Sequence, residues 1–358
     1  MNDETQMDDD GVKPVEHNSE ILFIYDAKMC NPNGDPDDEN KPRMDYNRSI
    51  NLVSDLRLKR YLRDYFMDYK DKEIFVSKVE GKTVDATNRL KKLIEKNKEE
   101  IEVSEELKDL FDKKNEPNEK NLSKHLPWLL SKLIDVRLFG ATMPIKREAG
   151  KGGPITFTGP IQFNWGYSLN KVTGPMDSST ITSIFAGAKD DYGTMGKDYR
   201  VDYSLVAFHG IISAKRAEHT NLTDEDINLF DDAIIYAIPL EATTRSKKGQ
   251  YPLLYIRVEY KKADFFMSDL RRYVKITGNG DKEMSFNETA RLRSTDDYKL
   301  DLAKLSEKLG KQHDKIQKIH FWKHEDLEVK GWEINNDKLN IKDVEIPVVQ
   351  LPLNRREN

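Results

Sequence analysis

Between Lys41 and Arg63 stand seven basic residues (Lys41, Arg43, Arg48, Arg57, Lys59, Arg60, Arg63) and two acidic ones, Asp45 and Asp55. A surface that only needs solubility interleaves its charges; a local excess of five positive charges is what a polyanion uses. Just upstream lies Asn31-Pro32-Asn33-Gly34-Asp35-Pro36. Two prolines remove backbone donors and a glycine opens backbone angles closed to other residues, so this stretch is a loop presenting short polar groups. A second basic turn, Lys146-Arg147-Glu148-Ala149-Gly150-Lys151-Gly152-Gly153, lacks the spacing of a nucleotide-hydrolase phosphate loop. Its glycines still let a backbone lie against phosphates.

Other chemistry is poorly provided for. Asp35, Asp37, Asp38 and Glu39 could gather a hard cation, but Pro36 and a misplaced glycine depart from a calcium-loop pattern. A metal-dependent ribonuclease built on Asp35 or Asp45 is the enzymatic alternative. His320 and His324 have a metal-ligand spacing, yet the intervening Phe321 and Trp322 suit a strand, and no cysteine or third histidine completes a site. Neither the serines nor the lone Cys30 lie in a nucleophile signature. No catalytic residue, metal or cofactor is expected.

The positioning elements follow from pattern. Residues 21–29 (ILFIYDAKM) read as a strand and 49–66 as a helix. At 100° per residue, Leu58, Tyr61, Leu62 and Tyr65 share one arc, with Arg57, Lys59, Arg60 and Arg63 opposite. Glu73–Val79 suggests a short strand. Residues 87–119 alternate lysine and glutamate around a thin apolar stripe and read as surface helices. Residues 122–140 suggest helix on both sides of Pro127, with Trp128 buried.

Strands are expected at 155–169, broken at Gly159-Pro160, and at 201–212. The glycine-rich stretch 171–199 between them makes a long hairpin whose apolar residues either pack locally or wedge into something outside. A helix at 223–238 starts with Thr223 as cap, followed by a strand at 251–260. Leu300–Ile319 reads as a lysine-rich helix.

This order, β-α-β-β-α-β, gives an α+β fold with a ferredoxin-like, RNA-recognition-type palm carrying a large helical insertion and a projecting hairpin. Residues 1–20 hold seven acids and one base and read as a disordered tail. Residues 21–358 are then one domain, with a helical region at about 73–140. The net charge of −5 resides in that tail, so a polyanion site must be a local patch. No apolar run approaches a membrane span, and the N-terminus lacks a secretory pattern, which makes the cytoplasm the default location.

NPNGDP, then PRMD and LVSDLRLKR, resemble the backbone subunit of CRISPR Cascade complexes, the crRNA-binding branch of the RAMP superfamily in its type I-B and I-C form. VRLFG at 136–140, TMGKDYRVDYSL at 194–205 and HFWKHEDL at 320–327 agree in order. The resemblance implies a palm, fingers and thumb, with the thumb at 171–199, and a non-enzymatic role. Several copies would line a guide RNA in an antiviral complex, each displacing one base to prepare pairing with target DNA. The implied partners are crRNA, target DNA, further copies and other Cascade subunits. On this resemblance Lys59, Arg60 and Arg63 grip phosphates, Asn31, Asn33 and Arg43 form the adjacent loop, and Met195 lies on the thumb. Lys146, Arg147, Lys151 and Arg200 complete the expected RNA-binding set.

Overall fold

The computed structural model describes residues 13–77, 85–145, 154–181, 195–278 and 280–352. The chain divides into two compact units. One comprises residues 17–65, 163–212 and 230–358 and is built on a large sheet. The other comprises residues 1–16, 66–162 and 213–229 and is mainly helical.

Eight elements lie wholly or in part in the sheet unit: β1 (Ser19–Cys30), α1 (Asp55–Lys70, as far as Tyr65), β2 (Gly166–Ser168), β3 (Met195–Ile212), α2 (Asp224–Glu241, from Phe230), β4 (Gln250–Tyr260), β5 (Ile316–Lys323) and β6 (Val344–Gln350). The strands lie in the order β6-β5-β4-β1-β3-β2. β1 pairs antiparallel with both β3 and β4, for example Phe23 opposite Phe208 and Tyr255. β5 is antiparallel to β4 and parallel to β6.

β1 is central and covered on both faces, which is why it reads as a continuous apolar run. Leu22 and Ile24 join a core with Leu254, Ile256, Leu305, Ile319 and Phe321. Phe23 and Tyr25 stack in a row that continues to Phe208. The outermost strands, Ile334–Asn335 at one side and Met44–Asp45 at the other, are two residues long.

Several expectations are corrected. The acidic tail does not extend through residue 20: Val15 is buried, its N–H donates to Leu222, and Ser19 and Glu20 open β1. Residues 1–12 lie outside the described residues. The helix expected at 49–66 starts later, because Ile50–Val53 is a strand paired with β2 and with Met44–Asp45. Ser54, whose hydroxyl accepts from Arg57 N–H, opens α1.

Only Ala303–Gly310 of the 300–319 helix forms; the β-branched Ile316 and Ile319 enter β5 instead. Residues 155–169 form three short strands. Met176–Ile181 pairs with the start of β3, Met176 opposite Arg200. Residues 182–194 between them lie outside the described residues.

In the helical unit Ala86–Lys96 is capped by Asp85 and buries Leu90, Leu93 and Ile94. Leu126–Lys132 and Ile134–Phe139 flank Leu133, while Trp128 is only partly buried. No strand forms over described residues 73–77. The Asp135 carboxylate accepts from Phe75 and Val76 N–H at 2.8 and 3.1 Å, which occupies donors a strand would need. α2 begins as expected, with reciprocal Thr223–Asp226 capping bonds of 3.2 Å.

Candidate nucleic-acid interface

The connection from β1 to α1 is a bonded structure. Asn31 is buried; its Nδ2 donates to Asn40 O at 2.7 Å and its carbonyl accepts from Lys247 Nζ at 2.7 Å. Asn33 Oδ1 accepts from both the N–H and the hydroxyl of Ser54, at 2.8 and 2.9 Å, tying the loop to the N-terminus of α1. Gly34–Asp35 pairs with Lys41–Pro42 as a small ribbon. A Cβ on Gly34 would lie 1.9 Å from Asn40 Oδ1 and 2.9 Å from its carbonyl, so this close approach needs glycine.

The cations on this rim are held by acids. Arg43 Nη1 donates to Asp35 Oδ2 at 3.1 Å, and Arg43 N–H to Asn33 O at 3.0 Å. Lys41 pairs with Asp38 at 2.7 Å. Lys197 pairs with Glu39 at 2.8 Å, and Tyr199 donates to the same carboxylate at 2.6 Å. These bonds from Lys197 and Tyr199 hold the Glu39 carboxyl below its usual range. Arg200 donates to Met29 O at 2.7 Å and to Asp198 at 2.8 Å, with Arg245 O within 3.3 Å. The loop before β4 therefore sits beside the connection.

The basic helix differs from its wheel. Leu58, Tyr61, Leu62 and Tyr65 are buried as expected, but so are Lys59 and Arg63, at 6 and 8% exposure. Lys59 pairs with Asp55 at 3.2 Å, and burial pushes its amine below the ordinary lysine range. Arg60 Nε donates to Asp64 at 2.8 Å. Arg57 lies over the Tyr61 ring, 4.1 Å from its centre. Leu56, between these cations on the wheel, is the exposed residue of the turn. The wheel gives direction from the axis; what covers that direction is a tertiary matter.

Lys146, Arg147 and Lys151 lie outside the described residues. Met195 opens β3, and its side chain is likewise outside them. The structure thus brings together Asn31, Asn33, Arg43 and Arg200. It adds Lys247, whose amine burial pushes down to about 8, with Arg57 contributing like charge. It also adds Trp165, exposed next to β2, with the Arg43 guanidinium 5.7 Å from its ring centre. The cluster Arg245, Lys247, Lys248 was the available signal for the first; nothing in the sequence signals Trp165.

Asp35 is engaged by Arg43 and by Asp37 N–H, and Asp45 by Arg48. Among the described residues, no three acids, histidines or cysteines converge as a metal site would require. His320 bonds Glu259 at 3.1 Å.

Residues 17–303 match the family model of CRISPR-associated protein Cas7. A CRISPR-associated protein Cas7 from Haloferax volcanii is 32% identical over 315 residues, 84% of this chain and 85% of that protein. Two solved chains have a TM-score of 0.45 and 12% identity. One, from a CRISPR RNA-guided surveillance complex, is matched over 86% of this chain and 89% of its own. The other, from a pre-nicking form of such a complex, is matched over 87% and 95%.

Proposed function

The chain belongs to the Cas7 family of CRISPR-associated proteins, and from that premise we propose that it is the non-catalytic subunit that lines a guide RNA. The single observation that carries this reading is the family match across residues 17–303. The endoribonuclease alternative is not favoured, since Asp35 and Asp45 are each committed to a neighbouring arginine.

The palm of this proposal is ferredoxin-like. Its support is the antiparallel order β4-β1-β3-β2, with α1 and α2 at the two crossover positions. The hairpin at 171–199, with Met195, is its thumb, and Lys146, Arg147 and Lys151 belong to its fingers. Copies of the chain line up on crRNA, with other Cascade subunits, and present it to target DNA.

Phosphate contact falls first to Arg43 and Arg200. Their acid partners hold them in place: the Arg43–Asp35 pair, partly exposed on both sides, exchanges readily for a phosphate, and the buried Asp198 aims the partly exposed Arg200. Lys59, Arg60 and Arg63 reinforce the field from α1. Asn31 and Asn33 shape the backbone that the strand passes. The acidic tip at Asp37–Glu39 would repel RNA, but Lys41 offsets Asp38 and Lys197 offsets Glu39.

Binding of labelled single-stranded RNA across a salt series tests this. Arg43→Ala/Arg200→Ala should weaken binding and flatten the salt slope by about 1.4, at roughly 0.7 per lost phosphate contact. Wild-type affinity with wild-type slope would overturn the assignment. With magnesium present the RNA should stay intact; cleavage abolished by Asp35→Asn would restore the nuclease.

A further inference from the structure

We propose that Trp165 is a stacking platform for a nucleobase of bound single-stranded RNA, an inference that rests on the guide-RNA reading above. Trp165 leaves 46% of its surface open to solvent, although its backbone is held in place. Its carbonyl accepts from Arg271 Nη1 at 2.8 Å, and that guanidinium is buried, clamped by Asp269 and laid 4.3 Å over the Tyr167 ring. On its other side, Gly166 packs so closely on Phe208 that a Cβ would meet the ring at 2.6 Å. An exposed indole on so fixed a backbone is preorganised, whereas an isolated surface tryptophan has no need to be.

The location suits a nucleotide. Gly166 pairs with Val53, the last residue of the strand that precedes α1, and Leu52 N–H donates to Arg43 O at 2.8 Å. The indole therefore stands beside the Asn31–Arg43 loop, with the Arg43 guanidinium 5.7 Å from its ring centre and itself held by Asp35. A base lying on the indole would set its phosphate within reach of that cation. This is the pairing of stacking surface and charge that sequence-tolerant single-strand binders use.

The test uses the full chain with fluorescein-labelled oligouridylate and oligoadenylate. Trp165→Ala should weaken both about tenfold and leave the salt slope unchanged, since no phosphate contact is lost. Trp165→Phe should keep most of the affinity. It should also remove the component of tryptophan fluorescence that unlabelled RNA quenches in the wild type. Wild-type affinity in Trp165→Ala, or equal quenching in Trp165→Phe, would overturn the inference while RNA binding itself stood. A flattened slope in Trp165→Ala would also overturn it, by showing that the change acts through Arg43. If the wild type bound neither RNA, the guide-RNA reading would fall instead.

Discussion

Asn33 joins two structures with one side chain. Its Oδ1 takes both the N–H and the hydroxyl of Ser54. Asn33→Ala should strand that N–H and cost about 1 to 2 kcal/mol in urea unfolding. Gly34→Ala should cost RNA affinity as well as stability, because its Cβ would displace Asn40.

Glu259 supplies a pH signature. Burial alone would raise its carboxyl, but the bond to His320 and the charges of Arg257 and Lys318 hold it at about 2, against 4.5 unperturbed. A depressed carboxyl pKa stabilises the fold fully above about 4.5, and that contribution fades as pH falls toward 2. The thermal midpoint of Glu259→Gln should therefore lie below wild type at pH 7, with the gap closing between pH 5 and 2.

At the scale of elements, what the sequence announced depended on how much of the signal was local. β1, β3 and β4 are long β-branched and aromatic runs, and α2 carries its own start signal in Thr223 and Asp226. Thr223→Ala should cost about 1 kcal/mol, read from a urea midpoint shift at unchanged m-value. Ile50–Val53 was missed because four residues fit a helical arc as well as a strand; its pairing with β2, far away in sequence, decides. The 300–319 segment failed likewise, with Ile316 and Ile319 drawn into β5 by β4. The site was half legible. Proline and glycine announced the loop, but the cover over Lys59 and Arg63 and the approach of Arg43 to Trp165 are products of tertiary packing.

For the whole molecule, a guide-lining role predicts assembly governed by RNA length. Single strands of increasing length should give complexes whose protein count rises stepwise, read by mass photometry, and Arg43→Ala/Arg200→Ala should need lower salt to reach each step. Among the described residues, no helix is long and apolar enough to cross a membrane.

The large sheet ends in two-residue strands at Ile334–Asn335 and Met44–Asp45. Such stubs leave few open backbone groups for a neighbour to zip onto. Crowded copies are thereby kept from fusing edge to edge into a fibre. On the proposed guide-lining reading, the spacing of such copies would then be set by the strand they share and not by a continuous sheet.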